Sequence, residues 1–144
     1  MHSANRAARF ALLFVALACL GGCGGDGPKV VAVSGTLTRN GQPVPRMTVN
    51  FEPASGRPSW GVSDENGRFT LEYDEKTKGA VVGTHTVWVL WRPSSPKEEL
   101  DAMKGRTKKP ADAEAIQQKY GAPTKSPIKI EVTKSVDNLE IKLD

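Results

Sequence analysis

The chain of 144 residues has two cysteines, two histidines, two tyrosines and three tryptophans. Cys19 and Cys23 both lie close to the N-terminus, so the body of the chain has no thiol to pair. Its fold must rest on packing alone, without a disulfide. A zinc centre takes three or four ligands, mostly His or Cys, and beyond residue 23 only His85 remains. No metal and no cofactor are expected. Nucleophilic catalysis is poorly served too, because no G-x-S-x-G elbow is present. Charge of one sign is also missing. The formal net charge is +4, and Arg6 and Arg9 supply part of it without nearby acids. The rest is close to neutral, with Lys and Glu interspersed, which speaks against nucleic acid as a partner. Lys104 to Lys109 is the basic cluster, and it reads as a solvated loop.

One long apolar run is present. Arg6 and Arg9 precede Phe10 to Leu20, and small residues then lead to Cys23. This is the three-part layout of a secretory signal. The run is short for a bilayer-spanning helix, which needs about 20 apolar residues. Leu20-Gly21-Gly22-Cys23 resembles a bacterial lipobox. That resemblance implies a cleaved signal over residues 1–22 and a diacylglycerol on Cys23, with further acylation of the new amino group. Cys19 is the rival, but Ala16 would then stand where the lipobox has Leu. Two or more acyl chains anchor stably where one does not. The expected address is the cell envelope, lipid-anchored to a bacterial membrane. Residues 23–28 form a short flexible spacer.

Residues 29–144 read as one domain of about seven strands. Lys29 to Thr38 is rich in β-branched residues, and Gly35 inside it marks a bulge or a close approach. Asn40-Gly41 is a hairpin-turn pair. Arg46 to Pro53 alternates, with Met47, Val49 and Phe51 on one side and Thr48, Asn50 and Glu52 on the other. Trp60 to Ser63 is a short strand, and Asp64 to Gly67 a turn with Gly67 left-handed. Phe69, Leu71 and Tyr73 then share a face. Thr84 to Trp91 is apolar on both sides. Val87, Val89 and Trp91 face one way, Trp88 and Leu90 the other, so the second face needs a cover. Ile128, Ile130 and Val132, then Leu139, Ile141 and Leu143, alternate on two last strands, expected to form a hairpin through Lys134 to Asp137.

The strand rhythm breaks over an insertion at residues 93–126. Ser95-Pro96-Lys97-Glu98 has the capping-box pattern, with Pro at the first helical position. It predicts a short helix to about Lys104. A second helix is expected from Pro110 to Tyr120, stopped by Gly121, with Ile116 and Tyr120 as its apolar stripe. The insertion reads as a surface feature and as the natural cover for Trp88 and Leu90. The fold class expected is an all-β, seven-stranded antiparallel sandwich with a partly helical insertion.

Val33-x-Gly35-x-Leu37, Asn40-Gly41-x-Pro43-Val44, Val49-x-Phe51 and Ser63-Asp64-x-x-Gly67-x-Phe69-x-Leu71 together resemble the carboxypeptidase regulatory-like domain. That is a prealbumin-like (transthyretin-like) β-sandwich, and the likeness covers about residues 31–91. With Gly79-Ala80-x-x-Gly83-x-His85-x-Val87, Gln118-Lys119-Tyr120-Gly121 and the lipobox, the chain resembles small lipoproteins of the planctomycete type. The resemblance implies fold and address rather than an activity. Two enzyme classes use this kind of fold. Hydroxyisourate hydrolases rely on several histidines and a C-terminal Tyr-Arg-Gly-Ser, whereas this chain ends Ile141-Lys142-Leu143-Asp144. Intradiol dioxygenases bind iron through two His and two Tyr, and one His does not suffice.

The expectation is therefore a non-catalytic envelope protein acting as a structural or interaction module. Its partners would be the membrane, through the N-terminal lipid, and an envelope protein or glycan. The alternative is a carbohydrate- or peptidoglycan-binding lipoprotein, with Trp60 as the exposed aromatic. Trp88 and Trp91 cannot share one platform if their strand is regular. His85 reads as structural, and Asp64-Glu65-Asn66-Gly67 as a plain turn with too few ligands for calcium.

Overall fold

The computed structural model describes residues 27–144; the expected signal segment and Cys23 lie outside the described residues. The chain is mostly β. Strands β1 (Val30–Val31), β2 (Val33–Arg39) and β3 (Gln42–Pro43) lead into β4 (Met47–Pro53), β5 (Ser59–Val62) and β6 (Arg68–Thr70). Then come β7 (Ala80–Val81), β8 (Gly83–Trp91), helices α1 (Pro96–Met103) and α2 (Ala111–Tyr120), β9 (Lys129–Val132) and β10 (Val136–Lys142).

Two four-stranded sheets make a sandwich-like body, and β1 pairs with β7 as a separate small ladder. One sheet runs β10-β2-β3, with β6 also on β2; the other runs β5-β4-β8-β9. Alternation fixes which side of each strand is buried. Met47, Val49 and Phe51 are completely buried, as are Val87 and Val89 opposite them. Val33, Leu37, Phe69, Leu71, Ile141 and Leu143 fill the same core from the other sheet. Burying each large side chain stabilises the fold by roughly 1.5–3 kcal/mol. A one-residue slip would turn this whole set outward, so the register is strongly held.

The predicted turns form. Asn40 and Gly41 both take positive φ, 50° and 75°, and join Arg39 to Gln42. The Asp64–Gly67 turn is closed by the Gly67 amide donating to the Asp64 carbonyl at 2.9 Å. It joins β5 to β6, which belong to different sheets. Trp60 and Glu72 exchange backbone hydrogen bonds of 3.0 and 2.7 Å across this junction. The two sheets are thereby stitched along one side.

The last two strands do not form a hairpin. β9 pairs antiparallel with β8, while β10 pairs with β2, and this second pairing is parallel. The antiparallel expectation therefore fails at one ladder. No residue from Thr133 to Asp137 takes the positive φ that tight hairpin turns require. The link crosses between sheets instead, and Val136 docks by donating its amide to the Ala32 carbonyl at 2.9 Å. Gly35 sits where β10 slips register, between Val136 and Leu139. A Cβ there would lie 2.1 Å from the Leu139 carbonyl oxygen, which accounts for the glycine.

Both helices form, and the second one corrects the reading of the insertion. Ser95 caps α1 by accepting from the Glu98 amide at 3.1 Å, with Pro96 opening the helix. Gly121 ends α2. Ala113, Ile116 and Tyr120 of α2 belong to the main core. The helix packs on β8 and ties down the C-terminus, where the Tyr120 hydroxyl donates to the Asp144 carbonyl at 2.6 Å. It is part of the fold, not a surface addition. Trp88 and Leu90 are not packed against that core. They stay half-buried on the outer face of β8, beyond the cover expected for them.

Candidate functional site

The outer face of the β5-β4-β8-β9 sheet carries the chemistry that is open to solvent. β4 turns Thr48, Asn50 and Glu52 outward, because its alternate residues fill the core. β5 turns Trp60 outward, and β8 turns Thr86, Trp88 and Leu90 outward. Strand register then aligns them. Asn50 lies opposite Trp60 on one side and Trp88 on the other. Thr48 lies likewise between Val62 and Leu90. Directly opposed residues share a face with Cβ atoms about 5 Å apart. Trp60, Asn50 and Trp88 therefore form one row across three strands.

Trp60 is the exposed tryptophan, at 40% of its full accessibility. It also borders an open groove of about 420 Å³, whose polar lining is Asp64, Arg68, Thr70 and Glu72. Trp88 is half-buried, and its Nε1 has neither solvent nor an acceptor. Its outward part is therefore ring carbon. Asn50 Nδ2 makes long contacts of 3.4 Å with the Thr48 and Trp88 carbonyls. This row can hold a flat ligand by stacking and hydrogen bonding.

Other residues singled out in the sequence take structural parts. Trp91 faces the core beneath the Arg46 guanidinium, 5.4 Å from its ring centre, and so opposes Trp88 as expected. His85 is 1% exposed and packs against Phe51. Its Nε2 lies 2.7 Å from the Val81 carbonyl, which can only accept, so Nε2 carries the hydrogen. One Asp64 oxygen accepts from the amides of Asn66 and Arg68 at 2.9 and 2.8 Å, which engages it in the turn. Lys104, Arg106, Lys108 and Lys109 are exposed after α1. Among the described residues, no group of three or more His, Cys, Asp and Glu side chains is placed to hold a metal ion.

The strongest electrostatic cluster lies at the start of α1. Glu98 accepts from the Ser94 hydroxyl, from the Ser94 amide at 2.6 Å and from Arg46 at 2.8 Å. The Ser94 bonds, then Arg46, hold its carboxyl down to about 2. Arg46 Nη2 pairs with Glu98 while its buried Nε has no partner, and the ion pair fastens α1 to the start of β4. Asp74 is lowered too, mainly by the Lys76 amide and then by Thr77, and it shapes the loop after Tyr73.

Trp60 was legible from the sequence as a candidate. Trp88 was legible as lying on the face opposite Val87 and Val89, but it was expected under a cover and not in a row with Trp60. The missing fact was that β4 lies between β5 and β8, which local patterning does not state. Comparison with family models, curated proteins and solved structures finds no match for the chain.

Proposed function

We infer that this chain is a lipid-anchored, non-catalytic protein of the bacterial cell envelope, acylated at Cys23, whose folded part serves as an interaction module. Its sandwich-like body is read as a carboxypeptidase regulatory-like, prealbumin-like domain. The observation that carries the module reading is the outer sheet face, where an exposed indole stands in a row of side chains aligned by strand register. Rigid aromatic surface of this kind binds with little loss of conformational freedom. The anchor rests on the lipobox pattern Leu20-Gly21-Gly22-Cys23 after the apolar run.

The test is the intact mass of the protein from bacterial membranes, beside that of Cys23→Ala. A mass starting at Cys23 plus acyl chains, absent from the variant, is expected. An unacylated product in the soluble fraction overturns the anchor. A second reading, carbohydrate or peptidoglycan binding through Trp60, is favoured by the alignment of Trp60 with Asn50 and Trp88.

A further inference from the structure

The row on the outer face extends one strand further. Glu72 is bridged to Trp60 across the β5–β6 junction, and both line the same groove. A carboxylate, an indole, an amide and an indole thus stand in line: Glu72, Trp60, Asn50, Trp88. Neighbouring strands are about 4.8 Å apart. The backbone positions that carry the two indoles are then about 10 Å apart, with that of the amide between them.

This spacing has a chemical counterpart. In an extended β-1,4-linked glycan successive pyranose rings are turned over, so every second ring shows the same face. A chain laid across the strands would place alternate rings on Trp60 and Trp88. The ring between them would lie over Asn50, whose Oδ1 can accept from hydroxyl or acetamido N–H groups while Nδ2 keeps its long contacts to two carbonyls. The next hydroxyls would meet Glu72, and a carboxylate accepts such hydrogen bonds strongly. Beyond Glu72 the row meets Lys78, bridged to it on the other side, so acid and base balance and the row offers a charged polymer no net attraction. A curved α-1,4-linked chain could not lie flat on both indoles.

We propose that the row Glu72–Trp60–Asn50–Trp88 binds an extended, uncharged β-1,4-linked glycan, running across the strands of the sheet. This rests on the carbohydrate reading given above and names its ligand class and its further residues. The row follows the strand register and needs no closure of the fold, so the site is ready-made.

The test titrates the full chain with chitotetraose, cellotetraose and maltotetraose, read by calorimetry and tryptophan fluorescence. Binding of one or both β-linked tetrasaccharides, and not of maltotetraose, is expected. Chitotetraose alone would assign recognition to the acetamido groups; both together would assign it to the rings. Trp60→Ala should weaken binding about tenfold or more, the scale of losing an aromatic anchor. Trp60 is exposed, so circular dichroism should stay unchanged in that variant. Glu72→Gln, which keeps the side-chain shape, should also weaken binding. Equal binding of maltotetraose, or β-linked binding untouched by both variants, overturns the proposal. Response to some other glycan, lost in Trp60→Ala, overturns the β-1,4 assignment and leaves the carbohydrate reading standing. No response to any glycan removes both, while the acyl mass decides the anchor independently.

Discussion

Gly35→Ala should destabilise the protein more than its size suggests. Gly35 pairs with Leu139 in the parallel β2–β10 ladder. A Cβ at this position would stand 2.1 Å from the Leu139 carbonyl oxygen and 2.9 Å from the Leu139 Cβ. Both neighbours are anchored, because Ile141 and Leu143 hold β10 in the core. The strands must part by about an ångström, and overpacking of this kind costs roughly 1–3 kcal/mol. One or two ladder hydrogen bonds weaken as well, at about 1 kcal/mol each. The lower entropy of the unfolded alanine chain offsets about 0.4–1 kcal/mol. The net is a loss of about 1–5 kcal/mol, or a fall in Tm of roughly 4–20 °C for a domain of this size. Gly41→Ala is the comparison. Gly41 has positive φ but open space around it, so it should lose only about 1–2 kcal/mol. Thermal unfolding by circular dichroism decides. A Gly35→Ala protein melting within two or three degrees of the parent (about 0.5 kcal/mol) would refute the close approach of β10 to β2.

Two further outcomes follow from the same packing. The carboxyl of Glu98 is held at about 2 in the fold against 4.5 ordinarily. Its contribution to stability is complete above pH 4.5 and lost as the pH falls through about 2. Glu98→Gln should therefore flatten the dependence of Tm on acid in that window, and an unchanged acid profile would contradict the cluster with Ser94 and Arg46. Ile116→Ala should destabilise by about 2–5 kcal/mol, because α2 carries a fully buried core residue there. Denaturant unfolding showing a loss below about 0.5 kcal/mol, the usual effect of a surface change, would return α2 to the surface.

Much of the fold was legible because it is local. Alternation put Met47, Val49 and Phe51 inside, turn chemistry placed Asn40-Gly41 and Gly67, and Ser95-Pro96 set the start of α1. What failed was the choice of strand partners. Ile128 to Val132 and Leu139 to Leu143 have the same pattern whether they pair with each other or with separate sheets. The outcome is decided by which strand edges remain open, and only the assembled core decides that. The role of α2 was hidden for a similar reason. Its stripe of Ala113, Ile116 and Tyr120 is too narrow to announce burial, and the contact with β8 supplies the rest.

The candidate site shows the same division between local and assembled information. Trp60 and Trp88 are far apart in sequence and never pair with each other. They align because β4 lies between their strands, with Asn50 opposite both. The register that does this is the one that buries Met47, Val49 and Phe51 on the inner side. Strand periodicity of two makes the outer row a consequence of the inner one. A slip of β4 by one residue would bury Asn50 and expose Phe51, so the core energy that forbids the slip also holds the indoles in line. Substitutions that loosen β4 from inside should therefore disturb ligand binding outside without touching the ligand. Met47→Ala, at the end of the strand, is the variant in which that coupling is measured with least risk to the row itself. Affinity for the proposed glycan should fall together with stability, and affinity that holds while stability drops by the expected 2–5 kcal/mol would separate the two faces.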